Sequence, residues 1–403
     1  MPCSVVPRLA LLLLLLLHEA RCGVRPADRG ALWELYELTS GAAWSFNENW
    51  SPETDPCHLN SRWVGVGCVD PCDRFRDGED CAFGRVSSLV LDYNGLSGNI
   101  TGWHALGNLT NLTILDLSLN SIEGQLPREV GQLEQLTSLN LMRNKLGGTL
   151  PTELGSINAR HRLEDLREMS FAFNSISGSI PGSIGAHSAL ASLNLRSNAL
   201  VGELPTEMGA LTQLVTLYLQ NNPDLAGTLP QNLGGLTELR YLDLTGDSVS
   251  GTIPPSIGAA SLLHAVHLEK NALSGTLPAE LCSLRVLRTL KLESNRFDGL
   301  IPDGIGNLSS VVVLDLFNNS FVGDVPQSIR ELHALEELYL DKQHLLPLRK
   351  HYCGQRLPDP GKYNWRTVRE NYDKMMESYC PDDKIYSTEY TFSTLQDSGV
   401  YEQ

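Results

Sequence analysis

Tyr218, Asp243, His267, Lys291 and Asp315 follow one another at spacings of 24 or 25 residues, and Arg196, Gln220, Glu269, Glu293 and Phe317 stand two places after positions of the same series. Carboxylates, an imidazole, an ammonium, a guanidinium and phenols in register could serve acid–base chemistry or form a row of contacts for a partner. Catalysis needs an acid, a base, a nucleophile or a metal converging on one point. The sequence has no H-E-x-x-H, Walker loop, G-x-S-x-G or kinase motif, and its ten histidines are scattered. Cys282, within LPAELCSL, takes an apolar position, which predicts a buried structural thiol rather than a nucleophile. No enzymatic activity, metal or cofactor is expected. Arginine, aromatic rings and paired opposite charges are the composition of interface cores. With Tyr241 flanking, the candidate contacts are Arg196, Tyr218, Gln220, Tyr241, Asp243, His267, Glu269, Lys291, Glu293, Asp315 and Phe317.

What must hold such a row is a repeat. Leu139–Pro151 reads LNLMRNKLGGTLP, Leu115–Pro127 LDLSLNSIEGQLP, Leu193–Pro205 LNLRSNALVGELP and Leu290–Pro302 LKLESNRFDGLIP. The frame is L-x-L-x-x-N-x-L-x-G-x-(L/I)-P. Its first anchor recurs at Leu89, Leu115, Leu139, Met169, Leu193, Leu217, Leu242, Val266, Leu290, Leu314 and Leu338, with seven of ten intervals equal to 24 residues and the others 26, 30 and 25. Such periodicity dictates an array in which each unit contacts its neighbours. L-x-L points two apolar side chains inward from a short strand and the residue between them outward. Stacked units then give a parallel sheet, and the candidate contacts fall on its outer face.

Asn94, Asn120, Asn144, Asn174, Asn198, Asn222, Asn271, Asn295 and Asn319 fill one column where the chain leaves the strand. An amide donates and accepts, so a buried Asn can satisfy turn backbone that no strand reaches. Asp247 and Gln343 interrupt the column. An ionised Asp cannot donate, which predicts a weakened turn at 247. The Gly column, Gly124, Gly148 and Gly178 among it, and the Pro after it bend the chain toward the return segment, whose six extra residues in SINARHRLEDLRE precede Met169.

At the N-terminus, Arg8, the apolar run Leu9–Leu17 and Ala20-Arg21-Cys22 predict a cleaved secretory signal over 1–22, too short to span a bilayer. Without an 18-residue apolar run or a hydrophobic tail after it, a secreted chain is expected. The net charge of −16 argues against nucleic acid and anionic membrane surfaces as partners. The remaining cysteines lie at both ends, apart from Cys282. Expected pairs are Cys57 with Cys68, Cys72 with Cys81, and Cys353 with Cys380, although the first four allow other connectivities. Five tryptophans, Trp33, Trp44, Trp50, Trp63 and Trp103, suit the core of a cap over the first unit. Sequons at Asn99, Asn108, Asn111 and Asn307 would accept glycans in a secreted protein, with those at Asn49 and Asn318 less favourably placed.

Two features carry a resemblance. The stretch WSFNENWSPETDPCHLNSRWVGVGC, with Asp55-Pro56-Cys57 and W-x-G-V-x-C at Trp63–Cys68, resembles the N-terminal cap of plant-type extracellular leucine-rich-repeat proteins. G-x-(I/L)-P in eight of the eleven units, beginning with that of Leu115, resembles their repeat. The cysteine gap is wider than in that family, and Asp70–Gly84 reads as an insertion. The resemblance, to receptor ectodomains and polygalacturonase-inhibiting proteins, implies an α/β solenoid. This would be a right-handed leucine-rich-repeat superhelix with a parallel concave β-sheet, a short second strand per unit and disulfide-stapled N- and C-terminal caps. The expected divisions are a signal at 1–22, an N-terminal cap with insertion at 23–84, a solenoid of about 11 repeats at 85–348, a C-terminal cap at 349–381 and a disordered tail at 382–403.

The function expected is recognition of an extracellular protein, peptide or glycan on the concave face, a co-receptor or hydrolase target included. Inhibition of a wall-degrading hydrolase and a structural role as a cell-wall or matrix glycoprotein are the alternatives. No nucleic acid and no membrane span are expected.

Overall fold

A computed structural model describes residues 24–58, 62–69, 84–155, 166–323 and 325–340. The expected signal, the Cys72–Cys81 and Cys353–Cys380 pairs, the added return-segment residues 156–165, Gln343, the C-terminal cap and the tail lie outside the described residues.

Each L-x-L frame places its first anchor in a short strand, three residues long after the first repeat, and these strands with one from the cap build one 12-stranded sheet. The first pair, Val66–Val69 with Arg85–Val90, is antiparallel, and every later neighbour is parallel. The register follows the sequence anchors: Leu193 pairs with Leu217, Leu217 with Leu242, Leu242 with Val266, Val266 with Leu290, and Leu290 with Leu314. These anchors are fully buried or nearly so. Burying one such side chain stabilises by about 2 kcal/mol, and a one-residue slip would turn all of them outward, so the register is firmly held. Short second strands pair beside the main sheet in groups such as Ser97–Asn99, Ser121–Gln125 and Lys145–Gly147. Return segments are 3-10 helices of up to five residues, most of them following the Pro of the frame, as in Arg128–Gln132 after Pro127. Among the described residues α-helix is confined to Pro26–Leu38, so the α component expected of the repeats takes the tighter 3-10 form.

The Asn column does what its chemistry allows. Asn144 Nδ2 donates to the carbonyls of Leu117, one coil back, and of Leu141 in its own coil, while its Oδ1 accepts from Ile122 N–H. Asn198, Asn271, Asn295 and Asn319 repeat the pattern. Asn94 applies it to the cap, bonding both N–H and C=O of Phe46. The residue before each Asn is left-handed, at φ 54° for Arg143, 56° for Phe173 and 58° for Lys270. Gly246, Asn221 and Asn318 suit such a position, but Tyr93, Leu119, Arg143, Phe173, Ser197, Lys270 and Ser294 share no property that would mark it.

The cap covers the first coil with stacked rings. Trp33 lies 4.7 Å from Tyr36, Trp50 lies 4.6 Å from Trp63, and Trp103 Nε1 donates to the Ala31 carbonyl at 2.8 Å. Cys57 and Cys68 form the expected disulfide, with Cα atoms 5.7 Å apart. Asp28, wholly buried, meets Arg25 Nε at 2.7 Å and Arg85 Nε at 3.1 Å, and accepts from Val86 N–H. One carboxylate thereby joins the helix to the first long strand.

Candidate functional site: the outer face of the main sheet

Because strand side chains alternate, the residue between two buried anchors stands on the open face of the sheet. Pairing sets Asn194 beside Tyr218, then Asp243, His267, Lys291, Asp315 and Tyr339 in unbroken succession. Most of these side chains are half-buried, and Tyr241 and Phe317 are exposed. The eleven residues expected to form the row therefore occupy adjacent coils of one surface.

Their roles differ. Asp243 Oδ1 accepts from the N–H and hydroxyl of its own neighbour Thr245, at 3.0 and 2.7 Å, and Oδ2 lies 3.9 Å from His267 Nδ1. Burial pushes the Asp243 carboxyl up, but the bonds from His267 and Thr245 outweigh it, leaving the net shift downward. Asp315 likewise accepts from Phe317 N–H at 3.0 Å. Asp116, Asn140 and Asn194 make the same local bond, so an Asx at this position caps its own turn before it touches anything else. Spacing alone could not separate that local duty from partner contact. Asp315 is pushed up to about 6 by burial, helped by Glu293 and Glu269. The Tyr218 phenol is raised by burial and by nearby Tyr241 and Asp243. Tyr241 stacks near His264, ring centroids 6.3 Å apart.

Several polar atoms on this face are buried without a hydrogen-bond partner: Ser170 Oγ, Arg196 Nε, Gln220 Oε1, His267 Nε2 and Glu269 Oε2. Native structures hold few such atoms, and they call for an explanation. Arg196 lies over the Phe173 ring with Cζ 4.8 Å from its centroid, and Arg143 lies over the same ring at 4.6 Å. Phe173 and Arg143 are outside the expected row. They belong to the left-handed column beside it, and no sequence spacing joins them to Arg196.

Among the described residues no group of three His, Cys, Asp or Glu could hold a metal. Cys282 is buried, and burial with Glu280 nearby pushes its thiol up to about 11, so it is protonated at neutral pH. Asn99, Asn108 and Asn307 are exposed and Asn111 is half-buried. Asn49, on a left-handed backbone at φ 67°, donates its amide to the Arg62 carbonyl, and Asn318 donates to Ser294 Oγ. No described helix is long and apolar enough to cross a membrane.

Residues 224–345 match the family described as Leucine-rich repeat region, and residues 84–146 match Leucine rich repeat. A protein of Arabidopsis thaliana named "Probable inactive receptor kinase RLK902" is 34% identical over 120 residues, 30% of this chain and 15% of that protein. The solved ectodomain of the Arabidopsis receptor kinase HAESA, in complex with the peptide hormone IDA and the co-receptor SERK1, is 29% identical with a TM-score of 0.61, covering 80% of this chain and 54% of that one. A plant ice-binding protein shares the fold at 23% identity and a TM-score of 0.57, over 76% of this chain and 90% of its own. The chain thus spans about half of the receptor ectodomain and a small part of the kinase relative.

Proposed function

We propose that this chain, whose repeats match the leucine-rich-repeat families, is a non-catalytic, extracellular recognition module of the plant type that holds a peptide or protein segment against the open face of its main sheet, from Arg196 to Phe317. The supporting observation is the set of buried, unpartnered atoms Arg196 Nε, Gln220 Oε1, His267 Nε2 and Glu269 Oε2 on nearby coils of that face. A donor and acceptors left unpartnered within half-buried side chains of one face are what a polypeptide backbone with polar side chains would satisfy once those side chains turn toward it. The HAESA complex, which has a peptide hormone and a co-receptor bound, supports this class of partner. Secretion rests on the apolar leader and the disulfide-closed cap.

Capture from the extracellular fluid of the source tissue tests the reading. The wild-type chain should retain a partner that Tyr218→Ala combined with Glu269→Ala loses, at unchanged melting temperature. Equal retention by both chains would refute the placement. Asp243 is unsuitable for this test because it caps its own turn.

A further inference from the structure

Two clusters of like charge stand out on this face, while Asp116 and Asp243, which cap their own turns, and Glu168, which takes a bond from Ser138, lie outside them. Toward the N-terminal side, Arg143 and Arg196 sit over one ring, Phe173, and among the described residues neither has a carboxylate within ion-pair distance. A ring face makes no conventional hydrogen bond with the guanidinium N–H groups, so the ring contact leaves their demand for acceptors unmet. Arg196 Nε is also buried and unpartnered.

Toward the other side, Glu269, Glu293 and Asp315 occupy three successive coils. Lys291 stands among them, so three carboxylates meet one ammonium. Glu269 Oε2 is buried and unpartnered. The crowding registers on Asp315, which burial and then the two glutamates hold above the usual carboxylate range. Each pole therefore has both an excess charge and an orphaned atom, and Tyr218, Gln220 and Asp243, the last facing His267, lie between the poles.

Within the concave-recognition reading, on which this rests, we propose that the face is bipolar and reads an extended polypeptide segment bearing one acidic and one basic side chain. The acid lies against Arg143 and Arg196, and the base against Glu269, Glu293 and Asp315. The separation follows from the stack. Arg196 follows the strand Ser192–Asn194, and three or four pairings lead to the strands preceding Glu269 and Glu293. At about 4.8 Å per pairing this is about 14–19 Å, or about four to six residues of extended chain at about 3.3 Å each. A segment with its charges adjacent, or with only one sign, cannot reach both poles. Charge order along the segment is also fixed, because reversing it sets like charges together at each end.

The full chain panned against a library of random linear peptides displayed on phage provides the test. Enriched peptides should carry Asp or Glu and Lys or Arg about four to six positions apart, in one constant order. Arg196→Glu combined with Glu293→Arg should reverse that order. The milder Arg196→Gln and Glu293→Gln, which spare the fold if the exchange does not, should each weaken a selected peptide at least tenfold. Each should leave unchanged a peptide already lacking the matching charge. Enriched peptides without paired charges that still lose binding in Tyr218→Ala would overturn the bipolar inference and leave concave recognition standing. Peptides indifferent to Tyr218→Ala, or no enrichment at all, would overturn both.

Discussion

At the scale of single residues, Asp247 shows what the Asn column requires by failing to supply it. Its Oδ1 accepts from Asn222 N–H at 2.7 Å, as an Asn would, but Oδ2 is buried where an amide would donate, and it finds no partner. Burial, with the Asp243 charge nearby, pushes this carboxyl up to about 8. The folded state then keeps a proton that the unfolded chain releases above about pH 4. Stability at this site is accordingly greatest below about pH 4, falls as pH rises, and carries its full penalty, on the order of a few kcal/mol, above about pH 8. Asp247→Asn should raise the melting temperature, with a gain that is small near pH 4 and largest near pH 8, measured by thermal unfolding across that range. A pH-independent gain would leave the missing donor as the cause and discard the titration; no gain would discard both. The break in the column at 247 was legible in the sequence, since the column has one filler and Asp departs from it. The burial that turns a missing donor into a pH dependence was not.

At the scale of the coil, the L-x-L strand, its register and the Gly-Pro bend were legible because each rests on a repeated residue type with one physical job. The left-handed residue before each Asn was hidden for the opposite reason: Arg143, Phe173 and Lys270 take it without a shared chemistry. An L-residue there is strained by about 1 kcal/mol, which the Asn bonds overcome. Lys270→Gly should therefore stabilise by about 0.5–1 kcal/mol, read as a higher denaturant midpoint at unchanged m-value. A loss would mean that the Lys270 side chain contributes more than its backbone strain removes. The site was half legible on the same terms. Its row could be counted off in steps of 24, whereas the clasp of Arg143 and Arg196 on Phe173 crosses two columns and three coils, and the local bonds of Asp243 and Asp315 depend on side-chain geometry.

At the scale of the whole described chain, stability passes from neighbour to neighbour, so the join between cap and first coil bears on everything after it. Asp28 is that join, a buried carboxylate shared by Arg25, Arg85 and the Val86 N–H. Asp28→Ala should cost about 2 kcal/mol, less than a fully buried triad because both arginines retain access to water. It should also raise hydrogen exchange at Val86–Leu91 more than at Leu290–Leu316; uniform exchange along the stack would show instead that the array unfolds as one unit. The Asn bonds add a direction to this transmission. Asn120 completes the turn of the coil before it, as Asn144 and Asn198 do for theirs, and Asn94 does so for the cap. A coil is closed by its successor. During synthesis, then, the growing chain leaves only its newest turn without these bonds. A chain shortened at the front has no earlier carbonyl to receive its first amide, whereas one shortened at the back merely waits at the last turn.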